Sequence, residues 1–264
     1  MSVILPLYVY PWPGQWDPLY TAAKKHPSVD FTVIINPCSG SCTGNLPDQY
    51  YQSEIPKLKT YRNIRTLGYV ATNYTNKAIE EVLEEVQTYA EWGKHSNNTK
   101  LRVDGIFFDE TPTDYSDKKY RYLQRAAGVV RNATSFRDQF VVHNPGNIPL
   151  APLTTTANTA NTYLNLADIT VVFEQTFEKW VSKDNFDQLR KLKVRRSKLA
   201  VMVHSLPESS TKLLEWVVDS LSEMAGHYFI TTVKETDAYY SSFSTAFQDL
   251  ARRKTLAQNL FVEA

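Results

Sequence analysis

This 264-residue chain is poor in cysteine and glycine, with only two and nine of them. Cys38 and Cys42 lie four apart in Pro37-Cys38-Ser39-Gly40-Ser41-Cys42-Thr43-Gly44. Without further thiol or histidine partners they do not make a metal site, and a small loop disulfide or free thiols both stay open. Scarce glycine also counts against nucleotide folds. Val9-Tyr10-Pro11-Trp12-Pro13-Gly14 has one glycine where a dinucleotide fingerprint needs three, and no Walker loop occurs. Nor is there a Gly-x-Ser-x-Gly elbow for a serine nucleophile. No apolar run approaches the roughly 18 residues of a membrane span. The opening Met1-Ser2-Val3-Ile4-Leu5-Pro6-Leu7 reads directly as a strand, with no signal peptide visible. Charge of one sign is missing too. The 29 basic and 28 acidic residues are mixed along the chain, so neither a nucleic-acid face nor a polybasic membrane anchor is expected.

Aromatic residues are plentiful, with 16 Tyr and 5 Trp, and such rings stack on sugar faces as readily as they fill cores. Three sequons, at Asn73, Asn97 and Asn132, are short enough to arise by chance. Apolar, β-rich runs bounded by turn residues predict strands over Val3 to Tyr10, Phe31 to Asn36, Ile64 to Ala71, Val103 to Phe108, Phe140 to Asn144, Ile169 to Phe173, Leu199 to His204 and Tyr228 to Val233. They lack polar alternation, as strands covered on both faces do. Between them, helical patterns are predicted over Asp17 to Lys25, Pro47 to Leu58, Thr75 to Trp92 with Thr75 as N-cap, Asp117 to Phe136, Thr159 to Leu166, Phe177 to Leu192, Thr211 to Ala225 and Ser242 to Arg253. Eight alternating units without a linker predict a single-domain α/β protein, a (β/α)8 TIM barrel over 1–264, with an open doubly wound sheet as the alternative.

Barrel enzymes carry chemistry at the C-terminal strand ends. Two predicted strands end in acids, Phe107-Phe108-Asp109-Glu110 and Val172-Phe173-Glu174. Paired carboxylates are the minimum equipment for glycosidic cleavage, so Asp109, Glu110 and Glu174 are the candidate catalytic residues. Adjacent side chains in extended backbone diverge, so only one of Asp109 and Glu110 is expected to point into the mouth. Tyr8, Trp12, Asn36, Tyr69, His143 and Asn144 are the candidate substrate-binding residues. His143 and His204 with Asp109 make too thin a set for a catalytic metal, and no metal or organic cofactor is expected.

Leu5-Pro6-Leu7-Tyr8-Val9-Tyr10-Pro11, Phe31-Thr32-Val33-Ile34-Ile35-Asn36-Pro37, Arg65-Thr66-Leu67-Gly68-Tyr69-Val70, Val103-Asp104-Gly105-Ile106-Phe107-Phe108-Asp109-Glu110, Asn144-Pro145-Gly146 and Val171-Val172-Phe173-Glu174 together resemble the spherulin 4-like proteins, spherulation-specific family 4, grouped as glycoside hydrolase family 135. The resemblance covers the first two thirds of the chain in order. It implies a (β/α)8 fold, an extracellular or cell-wall setting, and endo-acting hydrolysis of galactosaminogalactan, a polymer of galactose and N-acetylgalactosamine. It also implies catalysis by the acids at Asp109, Glu110 and Glu174. The cysteine-bearing loop departs from the Ser/Gly/Pro-rich loop expected there, and the missing signal peptide departs from secreted members and fits either a trimmed chain or an intracellular relative. The resulting expectation is a monomeric, retaining endo-glycosidase acting on a polysaccharide, with Asp109 as nucleophile, Glu174 as general acid/base and Glu110 tuning or orienting. A non-catalytic glycan-binding or spore-coat barrel is the alternative.

Overall fold

The structure is a computed structural model that describes residues 2–150, 163–208, 211–235, 238–244 and 247–252. Eight strands form a closed barrel in chain order: β1 (Ser2–Leu7), β2 (Asp30–Ile35), β3 (Ile64–Ala71), β4 (Gly105–Asp109), β5 (Phe140–His143), β6 (Ile169–Thr176), β7 (Leu199–His204) and β8 (His227–Ile230). The pairing is parallel, and β8 returns to β1 through Ser2 opposite His227. The helices are α1 (Asp17–Lys25), α2 (Gln49–Leu58), α3 (Ile79–His95), α4 (Asp117–Asn132), α5 (Phe177–Trp180), α6 (Lys183–Arg190) and α7 (Thr211–Met224). Nearly every strand residue is buried because a barrel strand packs inward on the core and outward on helices. On α4, Leu123, Ala126, Ala127 and Val130 make the buried stripe, and Ser116 caps its first turn by accepting from Lys119 N–H.

Some boundaries differ from expectation. Thr75 belongs to a 3-10 turn, Asn73–Thr75, and α3 starts at Ile79 behind Ala78, which makes no side-chain cap. The helix expected over 177–192 is two, because the backbone turns extended at Ser182, with φ −68° and ψ 129°. The helix expected from Thr159 falls on residues outside those described until a 3-10 turn at Tyr163–Asn165. Within the last expected helix, 247–252 is helical.

Internal contacts group the chain into two compact units, Met1–Val33 with Lys57–Arg65 and Phe173–Ala264, and Ile34–Pro56 with Thr66–Val172. In the second unit, β4 is tied at its start by Asp104. This buried carboxylate accepts Thr66 N–H at 2.7 Å and lies 3.2 Å from the Arg137 guanidinium. Gly105 follows because β4 and β5 approach so closely there that a Cβ would stand 2.0 Å from Phe140 O. Asp104→Ala strands a buried N–H, so the unfolding free energy is expected to fall by about 1–3 kcal/mol. Urea titration checks this, and an unchanged midpoint would remove Asp104 from the fold's support.

Candidate active site

Side-chain alternation places the functional groups of β3, β4 and β5. Tyr69 lies opposite Phe107, and Ala71 opposite Asp109. Tyr69, Phe107 and Asp109 therefore share one face, and the Tyr69 and Phe107 rings stack at 6.2 Å. At the end of β4 the Asp109 carboxylate accepts the Tyr69 hydroxyl at 2.8 Å on Oδ2 and Asn144 Nδ2 at 2.8 Å on Oδ1. Burial pushes the Asp109 carboxyl above its ordinary range, while hydrogen bonds from Tyr69, the Glu110 N–H and Asn144 pull it back. The result is a half-buried, doubly held oxygen pair with one defined orientation. Such a group suits attack on carbon or support of a developing cation.

Glu110 breaks the strand. Its φ of 50° is left-handed, unusual for a residue with a Cβ. The loop after β3 holds it there. Thr72, wholly buried, donates its hydroxyl to Glu110 O at 2.8 Å and its N–H to Asp109 O at 2.9 Å, and Tyr74 N–H donates to Glu110 O at 2.7 Å. Asn73, Tyr74 and Thr75 are themselves left-handed, so two strained loop ends are fastened to each other. The Glu110 carboxylate has no partner among the described residues.

His143 is a correction. It lies opposite Phe108 on the other face of the sheet, packs edge-on against that ring at 5.8 Å, and is 2% exposed. Burial, reinforced by Arg131 on α4, pushes its pKa down to about 3, so the imidazole is neutral. Facing the helix layer, it does not join Asn144, its neighbour in sequence, at Asp109.

Glu174 sits in the other unit and lies inside β6, which runs two residues further, to Thr176. Its Oε1 accepts the Tyr240 hydroxyl at 2.5 Å. Tyr8 meets the Tyr240 ring edge-on at 5.7 Å. His204, at the end of β7, stacks on Tyr239 at 4.3 Å. The chain after β8, with Pro207 and Glu208, also lines a cavity of about 610 Å³. Tyr240 and Thr72, which hold Glu174 and the Glu110 backbone, are not among the candidates that the sequence offers. Tyr240 lies ten residues beyond β8, where only the Tyr239-Tyr240 doublet is a signal.

Asn36 and Trp12 are the remaining candidates. Asn36 holds the loop after β2, its Oδ1 accepting Gly40 N–H at 3.1 Å. That loop is closed by a Cys38–Cys42 disulfide, with a Cα separation of 5.0 Å. Gly40 backs onto Glu85, whose carboxylate oxygen would lie 2.6 Å from a Cβ. Trp12 is 52% exposed with its ring tilted on Tyr10 at 4.9 Å. Among the described residues no group of three or more His, Cys, Asp or Glu could hold a metal ion. No described helix is long and apolar enough to cross a membrane.

Eight parallel strands closed in chain order, with helices between them, define a (β/α)8 barrel. The chain belongs to the family described as spherulation-specific family 4, which matches residues 2–253. Spherulin-4 of Physarum polycephalum is 32% identical over 154 residues, which is 56% of this chain and 40% of that protein. The chain thus spans less than half of that relative's length. The crystal structure of Aspergillus clavatus Sph3 in complex with GalNAc superposes with a TM-score of 0.89 at 40% identity, covering 96% of this chain and 97% of that one. A GH18 chitinase from Pseudoalteromonas aurantia shares the fold alone, at a TM-score of 0.53, 12% identity and 97% or more coverage of both chains, 98% of this one and 99% of that one.

Proposed function

We propose that this protein is a retaining endo-glycosidase acting on a polysaccharide that contains galactosamine and N-acetylgalactosamine. The observation that carries the reading is the Asp109 carboxylate, half-buried at a strand end and aimed by Tyr69 and Asn144. Likeness to a barrel crystallised with GalNAc supports the sugar class. Asp109 attacks the anomeric carbon while Glu174 gives its proton to the departing glycosidic oxygen. Water, deprotonated by Glu174, then displaces Asp109, and two inversions restore the starting configuration. Glu110, placed beside Asp109 by its left-handed turn, orients the substrate. Tyr8 and Tyr69 shape the cleft, and the polymer is held as a monomeric enzyme's only required partner, outside the cell or in its wall.

The decisive assay measures new reducing ends from acetylated and deacetylated galactosaminogalactan, with calorimetric binding alongside. NMR of the first-formed anomer reads the stereochemistry, and an inverted product would overturn the retaining mechanism. Polymer binding without any reducing ends at any pH would reject the enzyme and leave a glycan-binding barrel. Trp12→Ala is expected to weaken oligosaccharide affinity about 5- to 30-fold, since an exposed stacking ring contributes about 1–2 kcal/mol, with kcat nearly unchanged. Unchanged affinity would remove Trp12 from the binding surface.

A further inference from the structure

We propose that Tyr240 is the positioning residue of Glu174, fixing which carboxylate oxygen carries the transferred proton. The hydroxyl donates to Glu174 Oε1 at 2.5 Å, and its oxygen lies 3.7 Å from Met202 Sδ. Three rings immobilise the phenol edge-on: Tyr8 at 5.7 Å, Phe229 at 5.6 Å and Tyr239 at 4.6 Å. With a ring locked on three sides, the hydroxyl has little freedom to swing away from Oε1. Burial, with the Glu174 charge beside it, holds the phenol far above its ordinary pKa, so it stays a donor throughout the working range. Oε1 is thereby committed to accepting, and proton transfer to and from the glycosidic oxygen runs through Oε2. The same hydrogen bond favours the carboxylate over the acid, which keeps Glu174 from binding its proton too tightly to release it.

The proposal rests on the reading of Glu174 as general acid/base, and the experiment separates the two. Tyr240→Phe keeps the ring and its three neighbours while deleting only the donor. Without the donor the carboxylate is less stabilised, so the Glu174 pKa rises. The basic limb of the pH–kcat/KM profile is expected to move up by about one to two units, with kcat at neutral pH falling about tenfold or more and KM little changed. Site-specific replacement of Tyr240 by 3-fluorotyrosine, nearly the same size but a stronger donor, should move that limb down, and it serves if the phenylalanine variant does not fold. A limb that stays in place in the folded variants, while Glu174→Gln lowers kcat by about 10²-fold or more, overturns the role of Tyr240. Full activity in Glu174→Gln would instead remove the reading of Glu174.

Discussion

Asp109→Asn is expected to lower turnover on the polymer by at least about a thousandfold, roughly 4 kcal/mol of transition-state stabilisation, while oligosaccharide affinity stays within a few-fold. The amide has the shape of the carboxylate but cannot form the glycosyl ester. Its oxygen can still accept from Asn144, and the Tyr69 hydroxyl, which both donates and accepts, can turn to receive the new N–H. Thr72 grips main-chain oxygens of Asp109 and Glu110, so the left-handed turn survives the substitution. Stability should not suffer either. A carboxyl held above its unfolded value binds its proton more tightly in the folded state, so its contribution is present at low pH and is lost as pH rises through the folded value. The amide carries no such loss. Thermal unfolding is therefore expected to give an equal or higher Tm than wild type at pH 7, with any such advantage shrinking toward pH 4. A variant that keeps more than a tenth of wild-type turnover would remove Asp109 as nucleophile. Loss of turnover only on acetylated substrate would point to Asp109 steadying an acetamido group that attacks in its place.

Glu174→Gln is expected to cost about 10²- to 10⁴-fold in kcat, the usual size of general acid–base assistance. The glutamine oxygen can still accept from Tyr240, so the fold of the strand end persists. The distinguishing readout is rescue. Azide needs no general base, so on a substrate with a good leaving group it should restore turnover in this variant and yield a glycosyl azide of retained configuration. The Asp109 variant, having lost its covalent step, should give the inverted azide by direct attack. Retained azide from both variants, or rescue of neither, would break the assignment of the two acids.

Much of this fold is legible in the chain. The run Ile64 to Ala71 and the run Leu199 to His204 match β3 and β7 residue for residue, because a strand covered on both faces must be apolar at consecutive positions. The α1 and α7 helices follow from their apolar stripes in the same way. The misses lie where distant segments intervene. Thr75 looks like a helix cap, but the chain before it is drawn to Glu110 O by Tyr74 N–H, a bond between residues 36 apart in sequence that no local preference anticipates.

The candidate site divides along the same line. Asp109 and Asn144 are visible from sequence because a polar residue ending an apolar run must leave the sheet at its rim. His143 looks equally polar and equally terminal, yet the register that sets Phe108 beside it turns it to the helix layer, and register depends on the partner strand. Sequence by itself thus determined the barrel, through the period and burial of its strands, and named the strand-end acids. Only the tertiary structure decided which oxygens are held and by whom. Tyr69 and Asn144 on Asp109, Thr72 beneath Glu110, and Tyr240 on Glu174 act over 40, 35, 38 and 66 residues of sequence, respectively. Such contacts are made by closing the strands into a ring, and closure brings together side chains whose types carry no mark of their partners.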